Sequence, residues 1–171
     1  MSLRQAQFDA LVRATSAELY RFAYWLCRDH ALAQDLVQET FMRAWRALDD
    51  LREHAAAKPW LVTILRREHA RLYERKRHDT EELEETATEL PDARDLPTPE
   101  RAGEDAIIRH AMSSLPIKYR EPLLLQVLGG LSCDEIATEL KLTPQAVMTQ
   151  LFRARKQLKM RLSGHGLEAV S

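Results

Sequence analysis

The 171-residue chain is poor in the residues that build several familiar kinds of protein. It has two cysteines, Cys27 and Cys133, far apart in sequence, which fit a reducing cytoplasm better than a disulfide framework. Only five glycines and few long β-branched runs argue for helices. Apolar runs are a handful of residues, such as Leu123–Leu125, against the roughly 20 a membrane span needs. The opening MSLRQAQFDALVRAT has no apolar core followed by a small-residue cleavage site, so no secretory leader is expected. P-loop, glycine-rich phosphate cradle and nucleophile–base signature are all missing. Cys27 and His30 make a lone C-x-x-H without a second ligand pair for zinc. The expectation is a cytoplasmic helical protein that is not an enzyme and needs no metal or cofactor.

What is present is an uneven distribution of charge. The formal net charge is only −1, but residues 1–77 carry +4, residues 78–104 carry −8 and residues 105–171 carry +3. The acidic stretch, HDTEELEETATELPDARDLPTPERAGE, holds three of the seven prolines and no aromatic residue. Such a composition buries too little apolar surface to offset the entropy of ordering it, so it reads as a flexible linker. The sequence thus predicts an all-α protein. A domain at 1–77 and a second at 105–162 are joined by the acidic linker 78–104, and a tail follows at 163–171.

The C-terminal domain reads as a helix-turn-helix. A helix is expected from about Pro116 to Leu128, ended by Gly129 and Gly130, with Pro122 inside it as a source of a bend or a shifted start. Ser132 and Glu135 form the S-x-x-E of a capping box. After a turn at Lys141–Leu142, Thr143 is placed to cap a second helix and Pro144 to occupy its first position. Val147, Leu151, Ala154, Leu158 and Leu162 make one apolar face of that helix; Gln145, Thr149, Arg153 and Lys156 lie opposite. A solvated basic face would show the same periodicity. The capped first helix, the turn, and the lack of any acidic residue from Lys141 to Leu167 favour a DNA-reading helix. Its polar first turns would meet base edges, and its later cations phosphates.

In the N-terminal domain, Asp29 is a good N-cap for a helix whose Leu32, Leu36, Phe41, Ala44, Trp45 and Leu48 form an inward stripe. Asp35, Gln38, Glu39 and Arg43 fall outside that stripe, where ordinary solubility would explain them equally well. The next segment, KPWLVTILRREHARLYERKR, mixes Arg66, Arg67, Arg71, Arg75, Lys76 and Arg77 with Trp60, His69 and Tyr73. Cations interleaved with aromatics suit opened nucleic acid, where bases stack on rings. Core packing is at least as good an account of Trp60.

Together these stretches resemble the extracytoplasmic-function (ECF) group of bacterial sigma factors. AQDLVQETFMRAWR is similar to the group's polymerase-binding signature, KPWLVTILRREHARLYERKR to its −10 segment, and LPIKYREPLLLQVLGGLSCDEIATELKLTPQAVMTQLFRARKQL to its −35 domain. The resemblance implies that Asp35, Gln38, Glu39 and Arg43 face the clamp coiled coil of core RNA polymerase. It implies that Trp60, Arg66, Arg67, Arg71, Tyr73 and Arg75 engage the melted −10 region of promoter DNA. Thr143, Gln145, Ala146, Thr149, Gln150, Arg153 and Lys156 would read the −35 element. An anti-sigma factor is the group's common partner. The sequence departs from the group's pattern in reading ILRR where IARN is usual, and in lacking basic residues at Met148 and Gln150. The alternative is a stand-alone helix-turn-helix regulator, which would not need the DLVQET face.

Overall fold

The computed structural model describes residues 2–81 and 104–164. Most of the acidic stretch, and the final residues expected to form a tail, lie outside the described residues. Within those described, all regular structure is helical. Three helices, α1 (Leu3–Cys27), α2 (His30–Arg46) and α3 (Ala57–Glu81), form the N-terminal unit. Four more, α4 (Glu104–Ser113), α5 (Ile117–Val127), α6 (Cys133–Leu140) and α7 (Pro144–Ser163), form the C-terminal unit. Helix α3 continues to Glu81, four residues into the acidic segment.

Local chemistry sets the helix ends. The Ser2 hydroxyl accepts from the Gln5 amide to start α1, and Arg28 ends it in the left-handed region at φ 59°. The Asp29 carboxylate accepts from the Leu32 amide at 3.1 Å, opening α2 one residue later as the sequence predicts. Leu19, Phe22, Ala23 and Leu26 of α1 meet Ala33, Leu36 and Ala44 of α2 and Leu61, Val62 and Leu65 of α3 in one buried cluster. Each fully buried leucine or phenylalanine there contributes roughly 1.5–3 kcal/mol. Trp45 departs from its expected inward place. It lies at the rim, 38% exposed, with the Phe8 ring edge-on at 5.1 Å and the Arg4 guanidinium 4.9 Å from its ring centre. The fully buried positions at this end of α2 are Thr40 and Ala44.

In the C-terminal unit, α5 begins beside Pro116, whose carbonyl accepts from the Tyr119 and Arg120 amides. The helix runs through the buried Pro122 without shifting its start. Beyond it the chain reverses at Gly130, which takes φ 72°, while the Gly129 amide reaches the Leu124 carbonyl and the Leu131 amide the Leu125 carbonyl. A side chain at Gly129 would have its Cβ 2.6 Å from the Leu125 carbonyl oxygen and 3.0 Å from Val62. Glycine is what lets the α5 turn seat against α3.

The two units pack together. The Arg120 guanidinium, 7% exposed, donates to the Leu115 carbonyl at 2.9 Å and the Ser113 carbonyl at 3.2 Å in its own unit. It also reaches the Leu26 carbonyl at 3.0 Å, at the C-terminal end of α1. Arg28 returns the contact, donating to the Ser113 carbonyl. Cations at a helix C-terminus complement its dipole and fill its orphan carbonyls.

Candidate nucleic-acid interface

Helices α6 and α7 form the helix-turn-helix. The Ser132 hydroxyl accepts from the Glu135 amide at 3.2 Å and the Glu135 carboxylate from the Ser132 amide at 3.1 Å, completing the capping box. The turn depends on Lys141, a non-glycine residue at φ 57°, followed by a bond from the Leu142 amide to the Ala137 carbonyl. Thr143 caps α7 through the Ala146 amide at 3.1 Å, and Pro144 follows in the first turn.

Val147, Leu151, Ala154 and Leu162 bury the inner face of α7, with Leu158 half-buried beside them. That turns Gln145, Thr149, Arg153 and Lys156 outward, all exposed. The Thr149 hydroxyl already donates to the Gln145 carbonyl at 3.0 Å, leaving its lone pairs and methyl for a ligand. Ala146 is half-buried. So is Gln150, on the flank of the helix, with its side-chain oxygen buried and without a hydrogen-bond partner. Two apolar residues not expected from the sequence to contact DNA stand on the outer side: Met148, 49% exposed, and Phe152, 68% exposed. Their i,i+4 spacing places them on one side, and departure from the apolar stripe was the signal that could have found them. Such side chains can pack against thymine methyl groups.

In the N-terminal unit, Asp35 and Gln38 are exposed on α2. Glu39 and Arg43 are half-buried and joined at 3.0 Å; Arg43 also reaches Glu68 of α3 at 2.7 Å, and Glu68 pairs with Arg71 at 2.8 Å. Arg43 therefore ties α2 to α3 as well as bordering the exposed acidic face. Trp60 is half-buried against the core. Arg71, Tyr73 and Arg75 are exposed along α3.

Arg66 is half-buried and Arg67 is 57% exposed, and both are engaged by carboxylates of the C-terminal unit. Arg66 Nε is 2.5 Å from the Glu121 carboxylate and its Nη1 3.3 Å from that of Glu139. Arg67 binds Glu139 through Nε at 3.0 Å and Nη2 at 2.9 Å, one nitrogen on each carboxylate oxygen. Nearby, His69 borders a cleft of about 540 Å³ between the units, lined also by Leu26, Arg28, Tyr73 and Arg120. Burial, with Arg120, Arg66 and Lys76 adding positive potential, lowers its pKa to about 4. Cys27 also borders this cleft, and burial raises its thiol pKa, which favours the protonated thiol. Among the described residues no group of histidine, cysteine and acidic side chains is placed to hold a metal ion. None of the described helices is long and apolar enough to cross a membrane.

A capped helix-turn-helix docked on a three-helix unit with a basic, partly aromatic third helix defines a two-unit DNA-binding protein of the transcription-initiation class. The family comparisons agree in both units: Sigma-70 region 2 matches residues 11–79 and Sigma-70 region 4 matches residues 105–158. The chain belongs to the ECF family of RNA polymerase sigma factors. It is 31% identical to the RNA polymerase sigma factor NccH of Alcaligenes xylosoxydans, over 85% of this chain and 89% of that one. It is 32% identical to the ECF sigma factor SigE of Mycolicibacterium smegmatis, covering 95% of this chain but 64% of that longer protein. With the ECF sigma factor SigM of Bacillus subtilis the identity is 29%, over 88% and 92% of the two chains. Among solved structures it is similar to the sigma factor RpoE in complex with the anti-sigma factor NepR from Bartonella quintana. There the TM-score is 0.70 at 26% identity, over 92% of this chain and 97% of that one. It is also similar to CnrH in complex with the cytosolic domain of CnrY, with a TM-score of 0.61 and 28% identity over 94% and 90%. A stand-alone helix-turn-helix regulator would leave the region 2 match unexplained.

Proposed function

We propose that this chain is a dissociable, non-catalytic initiation subunit of the cytoplasmic RNA polymerase. Its first unit holds the core enzyme and its two units together select the promoter. The observation that carries this reading is the joint occurrence of a region 2 unit and a region 4 helix-turn-helix, each with the surface chemistry its task needs. Asp35, Gln38 and Glu39, with Arg43 beside them, form the polymerase face. Arg71, Tyr73 and Arg75, with Arg66 and Arg67 once released from their carboxylates, take the −10 strand. Unstacking the bases costs a few kcal/mol, offset by ring stacking and phosphate contacts. On α7, Gln145 and Thr149 with the apolar Met148 and Phe152 read base edges of the −35 element, while Arg153 and Lys156 hold phosphates. The anti-sigma complexes of RpoE and CnrH support a partner of the same kind here.

The two faces separate in one pair of assays. Asp35→Arg with Gln38→Ala should weaken co-sedimentation with core polymerase and leave duplex binding by the helix-turn-helix intact. Gln145→Ala with Thr149→Ala should do the reverse. If both double variants behave alike in both assays, the division of labour is wrong.

A further inference from the structure

Two of the arginines assigned above to the −10 strand are held by carboxylates of the other unit, in the geometry a phosphate would use. The Glu139 side chain is 9% exposed and that of Glu121 16%. Arg66 is 19% exposed between them. Arg67 makes a two-point fork on Glu139, the arrangement in which a guanidinium binds carboxylate or phosphate most strongly. Glu121 comes from α5 and Glu139 from the scaffold helix α6, both close in space to the α3 segment but 55 and 72 residues away in sequence. The neighbouring interface is apolar, where Gly129 meets Val62, and is flanked by the Arg120–Leu26 and Arg28–Ser113 hydrogen bonds.

We propose that Glu121 and Glu139 form an acidic clasp that competes with promoter phosphates for Arg66 and Arg67, so that the free protein keeps the donors of the half-buried Arg66 and of the 57% exposed Arg67 engaged until the two units part. The packing that supports the clasp has its own apolar and hydrogen-bonding content. The carboxylates therefore set the poise of an arrangement that other contacts make possible. Two buried or half-buried carboxylates spent on cations that a nucleic acid would otherwise hold are costly to desolvate unless paired. Their placement on the unit opposite α3 ties that pairing to inter-unit contact. The masking half of the proposal rests on the −10 role of Arg66 and Arg67; the clasp itself does not.

The test measures closure and binding separately on the full chain. Spin labels at Gln34→Cys on α2 and Lys159→Cys on α7, both exposed, in a Cys27→Ser, Cys133→Ser background, report the distance between the units. A fluorescent single-stranded oligonucleotide reports binding. Glu121→Gln with Glu139→Gln should broaden the distance distribution toward longer values and raise oligonucleotide affinity about tenfold at low salt. A circular-dichroism melting profile matching the parent's guards against a double variant that merely folds poorly. An unchanged distance distribution in the Gln variant overturns the clasp, whatever the affinity does. Opening without a gain in affinity leaves the clasp standing and overturns both the masking and the −10 assignment of the two arginines.

Discussion

Arg120→Leu should be the most damaging single substitution in the inter-unit packing. The side chain is 7% exposed, and its donors meet the carbonyls of Leu115 at 2.9 Å, Leu26 at 3.0 Å and Ser113 at 3.2 Å. Hydrogen bonds from a charged group are each worth roughly 1.5–3 kcal/mol net, so three of them set a ceiling of about 4.5–9 kcal/mol, comparable to the whole stability of many domains. Removing the guanidinium also relieves its own desolvation, several kcal/mol, and leucine restores some apolar packing. The balance is a loss of about 2–4 kcal/mol, most of it from carbonyls left dry at the end of α1 and beside α5. At about 2–4 °C per kcal/mol for a chain of this size, the melting temperature should fall by about 4–16 °C. Arg120→Lys should recover little, because one ammonium nitrogen has to replace two guanidinium nitrogens that reach carbonyls of different units. Urea denaturation followed by circular dichroism measures both variants. A loss under about 1 kcal/mol for Arg120→Leu, or full recovery by lysine, would refute the claim that the planar fork organises this junction.

Gly129→Ala should destabilise by about 1–3 kcal/mol, since its Cβ meets the Leu125 carbonyl oxygen at 2.6 Å and backbone cannot step aside as a side chain can. Denaturation midpoints give the value, and no loss would mean the α5 turn relaxes freely. His69 has a folded pKa of about 4 against an unfolded value near 6.5, so the folded state binds fewer protons between those limits. The stability it contributes is complete well above pH 6.5 and is lost as the pH falls toward 4; by pH 5.5 the loss from this group is about 1.4 kcal/mol. His69→Gln should flatten that part of the stability–pH curve, and an unchanged slope between pH 7.5 and 5.5 would contradict the assignment. Thr143→Ala should cost about 1 kcal/mol by removing the cap on the Ala146 amide, without changing the oligonucleotide affinity of α3.

Local features were legible in the sequence because their chemistry is local. The caps at Asp29, Ser132 and Thr143 and the apolar stripe of α7 each depend on residues within a few positions. The polar outer face of α7 followed from that stripe, since burying Val147 and Leu151 turns Gln145 and Thr149 outward. Exposure of Met148 and Phe152 was harder to see, because an apolar residue in an amphipathic helix is usually assigned to the core. The same rule misplaced Trp45, whose position depends on Phe8 and Arg4 from another helix. The coupling of Arg66 and Arg67 to Glu121 and Glu139 was invisible in one sequence. Periodicity says which side of a helix is polar, but not which distant helix comes to meet it.

The central claim is promoter-directed initiation, and run-off transcription from a randomised promoter library, with and without core RNA polymerase, tests it most directly. The account predicts transcripts only when core and this chain are both present, starting downstream of one shared pair of sequence elements. Transcripts independent of the chain, or none with core while the protein alone binds duplex DNA tightly at moderate salt, would contradict it.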